Sequence, residues 1–246
     1  MKGRGAIAII PVKGALTTEG LYFGLVASSQ GIIQAIDEVE RRKKLKAAIF
    51  EINSPGGTPF AAKEVATRIS AMVKPTIAWV REYATSGGYW IASACDEIVA
   101  DELSTVGSVG VISIRPDIGE LLKKFGVDIE TLKTGMYKGL GLPYEKPTAE
   151  ERELLTSELE EIKESFLSAI GTNRHLDDAT LKELATAKIY LGREAKTLGL
   201  IDHLGGKELA IARAKELAGL KREKLIDYGE RRRMGMLRRL LEELLR

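Results

Sequence analysis

Four short runs of β-branched and small apolar residues, separated by segments with helical spacing, constrain this chain more than any other feature. Ala6–Ile10 with Val12, Ala47–Ile52, Pro75–Val80 and Glu97–Ala100 have the length and composition of buried strands. Ile32, Ile33, Ile36 and Val39 recur at helical spacing between the first two, and residues 59–73 carry helical character between the next two. Gly87 and Gly88, followed by the small residues Ala92–Ala94, predict a short helix packed closely on a neighbour. Alternation of this kind builds parallel βαβ units whose sheet is covered by helices, an α/β fold. Val109–Ile112 and Asp128–Lys133 read as further short strands, and Ile118–Phe125 as a helix.

The character changes after Pro147. Thr148-Ala-Glu-Glu151 has the spacing of a capping box, with Thr148 as N-cap. A long helix is predicted from there to about Asn173, with shorter ones over 178–187, 193–198 and 206–218 and a late strand at Lys224–Tyr228. Leu237, Leu240, Leu241, Leu244 and Leu245 form a helical apolar stripe beside Arg231–Arg233, Arg238 and Arg239. The expected division is a main domain over 1–220 and a basic amphipathic C-terminal extension over 221–246. That extension fits packing on a neighbouring subunit, self-occupancy of the chain's own site, or contact with an anionic membrane.

Several function classes drop out. The net charge of the 246-residue chain is +2, and its basic tail is too mixed in charge and too poor in aromatic residues for a nucleic-acid arm. The single Cys95 forms neither an internal disulfide nor, alone, a zinc site. His175 and His203 lack metal-ligand spacing, so a hydrolase built on this chain works without a histidine base. No apolar run reaches the 18 or so residues of a membrane span. P-loop, dinucleotide-binding and GxSxG patterns are missing.

Three glycine-rich turns remain, each beside a strand. Asn53-Ser-Pro-Gly-Gly57 stands at the carboxyl end of the second strand, where ligands of parallel sheets bind. Its paired glycines, Gly56 and Gly57, suit a nest of backbone N–H groups for a developing oxyanion, or simply a strand-to-helix turn. Ser86, in Thr85-Ser-Gly-Gly-Tyr89, either exposes its hydroxyl at a helix start or caps that helix. Ser108, in Gly107-Ser-Val-Gly110, either turns its hydroxyl inward or bonds backbone.

A serine nucleophile needs a base, and with histidine scarce that base is a lysine. Neutral lysine at pH 7 requires a shift of roughly 3 units from about 10.4, which near-complete burial supplies. Lys138, within Gly135-Met-Tyr-Lys-Gly-Leu-Gly-Leu-Pro143, has apolar and glycine neighbours and no adjacent acid; its alternative is a surface lysine in a loop.

These segments together resemble the signal peptide peptidase A family of serine peptidases, in the Clp-protease/crotonase superfamily. The resemblance runs through Ile52–Gly57, Lys74-Pro75, Thr85–Ala92, Asp96–Ala100, Thr105–Val111, Lys133–Lys138 and, more weakly, Gly192–Asp202. It implies a Clp-protease/crotonase-like spiral of βαβ units with helical C-terminal cover. It also implies Ser86 as nucleophile, Lys138 as general base, Ser108 orienting that lysine, and Gly56 and Gly57 as the oxyanion turn. Remnant signal peptides and other unfolded apolar peptides are the implied substrates, with no metal or organic cofactor. Ring- or dome-shaped homo-oligomers are implied, in which short forms draw serine and lysine from neighbouring subunits. Thr85 and Trp90 replace the more usual alanine and tyrosine. Family members usually carry an N-terminal anchor. Membrane association with an extracytoplasmic site is therefore expected if one precedes this sequence, and solubility for the chain as it stands. The rivals are a crotonase-class acyl-CoA enzyme and a non-catalytic membrane-associated scaffold of the same fold.

Overall fold

The computed structural model describes residues 4–19 and 26–230. The leucine stripe and its arginines lie outside the described residues. The chain divides into two units, residues 1–110 with 166–246, and residues 111–165.

The first unit is built on one mainly parallel sheet. Its early strands are β1 (Arg4–Lys13), β4 (Leu45–Ser54) and β5 (Thr76–Thr85); β2 (Ala15–Thr17) and β3 (Val26–Ser28) pair in parallel as a separate two-stranded sheet, and helices α1 (Ser29–Arg41) and α2 (Pro59–Ser70) lie between the strands in sequence. Then come α3 (Gly87–Ser93), β6 (Glu97–Ala100) and β7 (Thr105–Gly107). After the second unit the chain adds α6 (Asp178–Leu184), β8 (Ile189–Leu191), α7 (Gly192–Thr197), β9 (His203–Leu204), α8 (Lys207–Leu217) and β10 (Arg222–Asp227). The strand order is β10-β1-β4-β5-β6-β9, with β7 pairing both β5 and β8. Only the β7–β8 pairing in this sheet is antiparallel. β10 extends the sheet into residues that the sequence reading assigned to the C-terminal extension.

Strand polarity explains the two cores. Even-numbered residues of β1, β4 and β5, such as Ile10, Phe50 and Ala78, pack with α1, α2 and α3 through Ile36, Val65 and Ile91. Odd-numbered residues, including Ile9, Ile49 and Ile77, pack under α8 through Ala210 and Ala214. Strands covered on both faces read as continuous apolar runs.

β5 serves two neighbours in turn. Ile77–Val80 pair with β6, while Tyr83–Thr85 pair with β7. The β4–β5 register shifts between Ile52 and Ser54, so that Ser54 comes opposite Ala84. This offset carries the ends of β4 and β5 past the α8-covered part of the sheet, to where the glycine turns begin.

The second unit holds α4 (Gly119–Lys124) and the start of α5 (Ala149–Arg174), which continues into the first unit. The capping box forms in both directions. Thr148 N donates to Glu151 Oε2 at 2.9 Å and Glu151 N to Thr148 Oγ1 at 3.2 Å. Asp128–Lys133 is not a strand, because an isolated extended run with no partner strand gains no ladder. Nor is Val109–Ile112; the paired strand lies just upstream, at Thr105–Gly107.

The end of α5 is fastened to the sheet by charge. The Arg174 guanidinium, with a side chain only 7% exposed, donates to Asp202 Oδ1 and Oδ2 at 2.8 and 2.9 Å. Asp202 Oδ2 also accepts from the Ile98 N–H of β6 at 2.7 Å. Asp202→Ala would leave a buried guanidinium unpaired, at a cost of about 3 kcal/mol, the low end for a broken buried pair because Asp202 is partly solvated. A urea denaturation midpoint lowered accordingly, against an unchanged midpoint for a surface control such as Lys123→Ala, is the expected result.

Candidate active site at the Ser86 turn

The turn between β5 and α3 has an unusual backbone. Ser86 sits at φ 52°, ψ −127°, a region that costs a residue with a side chain on the order of 1–3 kcal/mol. Three hydrogen bonds hold it there. Its N–H donates to Gly107 O at 2.8 Å, and its carbonyl accepts from Tyr89 N at 2.9 Å and Trp90 N at 3.1 Å. The simple capping role fails, because the Ser86 side chain makes no cap hydrogen bond to α3. The hydroxyl is left half-buried and free of local backbone work.

Ser108 lies beside it through β7. Thr85 pairs with Gly107, so Ser108 follows immediately after the carbonyl that anchors Ser86. Ser108 also has a positive φ, of 54°, and its N–H donates to Lys188 O at 2.9 Å. No described residue bonds its hydroxyl, so the backbone-satisfied alternative fails here too.

The Asn53–Gly57 turn packs directly on Ser86. A Cβ added to Gly56 would stand 2.8 Å from Ser86 Cβ, 3.1 Å from Ser86 Oγ and 2.7 Å from Gly87 N. Gly56 also has φ +97°, which favours glycine. A Cβ on Gly57 would meet Leu16 O at 2.1 Å, so that position is closed by backbone. The paired glycines thus answer two steric demands, one from Ser86 and one from β2.

Backbone donors in this turn are not equivalent. Gly56 N–H donates to Ser54 Oγ at 3.2 Å, and Gly56 O accepts from Leu16 N at 2.7 Å. A trans peptide puts C=O and N–H on opposite sides, so the Gly57 N–H points away from β2. Neither Gly57 N–H nor Gly87 N–H donates to any described residue. Gly56 N–H is therefore already spent, and Gly87 N–H is a free donor beside Ser86 that sequence reasoning missed. The signal was present, since Gly87 follows the serine at a helix start, where N–H groups lack intrahelical partners.

Cys95 and His203 are committed elsewhere. Cys95 is 5% exposed and burial pushes its thiol up, so it offers no thiolate. His203 Nε2 is 3.1 Å from Glu97 Oε2, beside the Arg213–Glu97 pair on the α8 face of the sheet. Lys138 belongs to the second unit, where its side chain is exposed and its N–H donates to Gly135 O at 3.0 Å.

A mainly parallel sheet, successive helices on one face, and a strained serine meeting a glycine turn at the strand ends define the Clp-protease/crotonase class of fold. The chain matches the model of Peptidase family S49 over residues 68–221, and that of the NfeD1b N-terminal domain over 8–120. It is 32% identical over 220 residues to a candidate protease of Methanocaldococcus jannaschii, covering 89% of this chain and 71% of that protein. It is 35% identical to the chloroplastic serine protease SPPA of Arabidopsis thaliana, over 93% of this chain but 35% of that one. A candidate signal peptide peptidase of Enterococcus faecium is 32% identical over 90% of this chain and 66% of its own. The chain belongs to peptidase family S49, the signal peptide peptidase A family, and is a serine peptidase. This sets aside the acyl-CoA enzyme and scaffold alternatives.

Gly56→Ala is expected to lower peptide hydrolysis on the order of a hundredfold or more, since the added methyl invades the space between Ser86 and Gly87 N. Turnover of a fluorogenic peptide, with circular dichroism confirming retained fold, checks it.

Proposed function

We propose that the chain is an endopeptidase in which Ser86 is the nucleophile and Lys138 the general base. Its substrates on this reading are remnant signal peptides and other unfolded apolar peptides. Lys138 takes the Ser86 proton as Oγ attacks the peptide carbonyl. The N–H groups of Gly57 and Gly87 hold the oxyanion. Protonated Lys138 then gives its proton to the leaving amine, and water hydrolyses the acyl-enzyme. Ser108 holds the Lys138 amine through its uncommitted hydroxyl. The observation that carries this reading is the strained, non-capping Ser86 packed on Gly56, with two unpartnered N–H groups beside it.

Assembly completes the site. A lysine acts as a base only when neutral, and neutrality needs an apolar, water-poor setting. The unit that bears Lys138 exposes Ile112, Ile114, Phe125, Leu132 and Met136, each more than two-thirds uncovered. A soluble monomer seldom shows so much apolar side chain within one short stretch. In the proposed ring or dome, neighbouring copies cover these residues and Lys138 meets Ser86 of another copy. Among the described residues no helix is long and apolar enough to cross a membrane. Contact of residues 231–246 with a membrane is part of the same proposal.

Ser86→Ala and Lys138→Ala should each abolish nearly all hydrolysis of an apolar peptide. Co-expressing the two inactive variants should restore a measurable fraction, because mixed particles contain sites with both groups intact. Full activity of Lys138→Ala alone would reassign the base, and no recovery on mixing would place both groups in one copy.

The base must also leave a signature in pH. The rate constant kcat/KM should rise from pH 6 towards pH 10 as the neutral amine becomes populated. A flat profile across that range would count against a lysine base that is charged at pH 6.

A further inference from the structure

The oxyanion turn is held by two peptide planes that meet at the Gly56 Cα. Leu16 N–H fixes the Gly56–Gly57 plane by donating to Gly56 O at 2.7 Å. The Pro55–Gly56 plane is fixed by its own N–H, which donates to Ser54 Oγ at 3.2 Å. The same Ser54 hydroxyl donates to Gly14 O at 2.7 Å, two residues before Leu16. One hydroxyl thereby ties the turn to the segment that supplies the other clamp. That segment is itself zipped to the turn, through Gly14 N to Asn53 O at 3.0 Å and Thr58 N to Leu16 O at 2.9 Å.

Ser54 is also wedged against the nucleophile's helix. Its side chain is fully buried, and a Cβ on Gly88 would meet Ser54 O at 2.7 Å and Ser54 Cβ at 3.3 Å. Ser54 thus touches β1's exit, the oxyanion turn and the start of α3 together. Among the described residues the other side-chain clamp on the turn is Asn53, whose Oδ1 accepts from Glu82 N and Tyr83 N at 3.2 and 3.3 Å; the rest are backbone to backbone.

We infer that Ser54 is a positioning residue for hydrolysis, whose hydroxyl aims the Gly57 N–H by locking Gly56. This rests on the proposed reading of Ser86 as nucleophile and of Gly57 as an oxyanion donor. Gly56 has no side chain to restrict its dihedrals, and its φ of +97° is one of several open to it. Without the hydroxyl, both Gly56 N–H and Gly14 O lose their partner in a buried place, and rotation about Gly56 lets its N–H seek another acceptor. The Gly57 plane turns with it. The effect falls on the developing oxyanion rather than on ground-state binding, because the donor meets its full charge only in the transition state.

The test uses the assembled full chain with Ser54→Ala, and Ser54→Thr as the variant that keeps a hydroxyl. Expected for Ser54→Ala is a fall in kcat of about ten- to a hundredfold with KM within about twofold, since a misplacement of about 1 Å costs on the order of a hundredfold. Inhibition by a peptide aldehyde, whose adduct places an oxygen in the oxyanion site, should weaken by the same factor. Binding of the non-reactive peptide alcohol should not change, and Ser54→Thr should recover most of the aldehyde affinity. A merely structural role would move the unfolding midpoint while leaving the aldehyde-to-alcohol affinity ratio at its wild-type value, and that result overturns the inference. Should Ser54→Ala yield no assembled particle, Ser54→Cys, whose thiol is a weak donor, carries the same expectation. Labelling by a fluorophosphonate separates the two levels. Wild type unlabelled at Ser86 defeats the nucleophile assignment. Labelled, active wild type with an unaltered affinity ratio in the variants defeats the role of Ser54 alone.

Discussion

The hydrogen bond from Ser86 N–H to Gly107 O, 2.8 Å long, is the constraint on which the rest of the structure turns. It holds a serine in a backbone region that side chains avoid, against a strain on the order of 1–3 kcal/mol. The bond exists because the second half of β5 leaves β6 and pairs with β7. β7 in turn has its own support. Gly107 lies against Lys188 O and the Tyr190 ring, and β8 pairs with β7 in antiparallel register. A sheet that continued β5–β6 pairing to the end would leave Ser86 without this acceptor. Residues 187–191 are distant in sequence from the serine, yet their packing sets its conformation.

The sheet's centre was legible because burial on both faces writes itself as unbroken apolar runs. β1, β4, β5 and β6 fall where Ala6–Val12, Ala47–Ile52, Pro75–Val80 and Glu97–Ala100 place them, and α1 and α2 follow their helical spacing. Pairing, rather than propensity, decided the misses. Val109–Ile112 is richer in β-formers than Thr105–Gly107, but only the latter comes into register with Tyr83–Thr85. Asp128–Lys133 reads as a short strand and has no ladder to join. β2, β3, β8 and β9, two or three residues each, are too short for any periodicity to register.

The site was legible as residue types and not as roles. A serine at a strand-to-helix junction reads equally as cap and as nucleophile. The observed φ and the missing cap bond remove the first reading. The two glycines after Pro55 were read as one donor pair, although a donor counts only if nothing else consumes it. Which N–H is spent depends on a hydroxyl two residues upstream and on a strand some forty residues earlier. Lys138 shows the opposite case. Its apolar and glycine neighbours are local sequence, but the burial a lysine base requires is a property of the assembled particle in the proposed reading.

Gly57 and Gly87 N–H, which no described residue uses, sit in a tightly held frame, and the proposed reading gives that frame its purpose. The start of α3 has no side-chain cap, and Gly57 N–H is turned away from the strand that pins its neighbour. In an ordinary turn such groups would rotate to find acceptors. Here the Gly56 planes are held on both sides by hydrogen bonds, and α3 packs so closely at Gly87 that an added Cβ would stand 2.9 Å from Ala62 Cβ. In the proposed reading these donors are in place when negative charge develops on a bound carbonyl, with no reorganisation needed at that moment. On this account the strain at Ser86, the orphaned N–H groups and the glycine contacts are one device. In the proposed reading, rigidity supplied by the sheet holds the Gly57 and Gly87 N–H groups in place for the oxyanion of the tetrahedral intermediate.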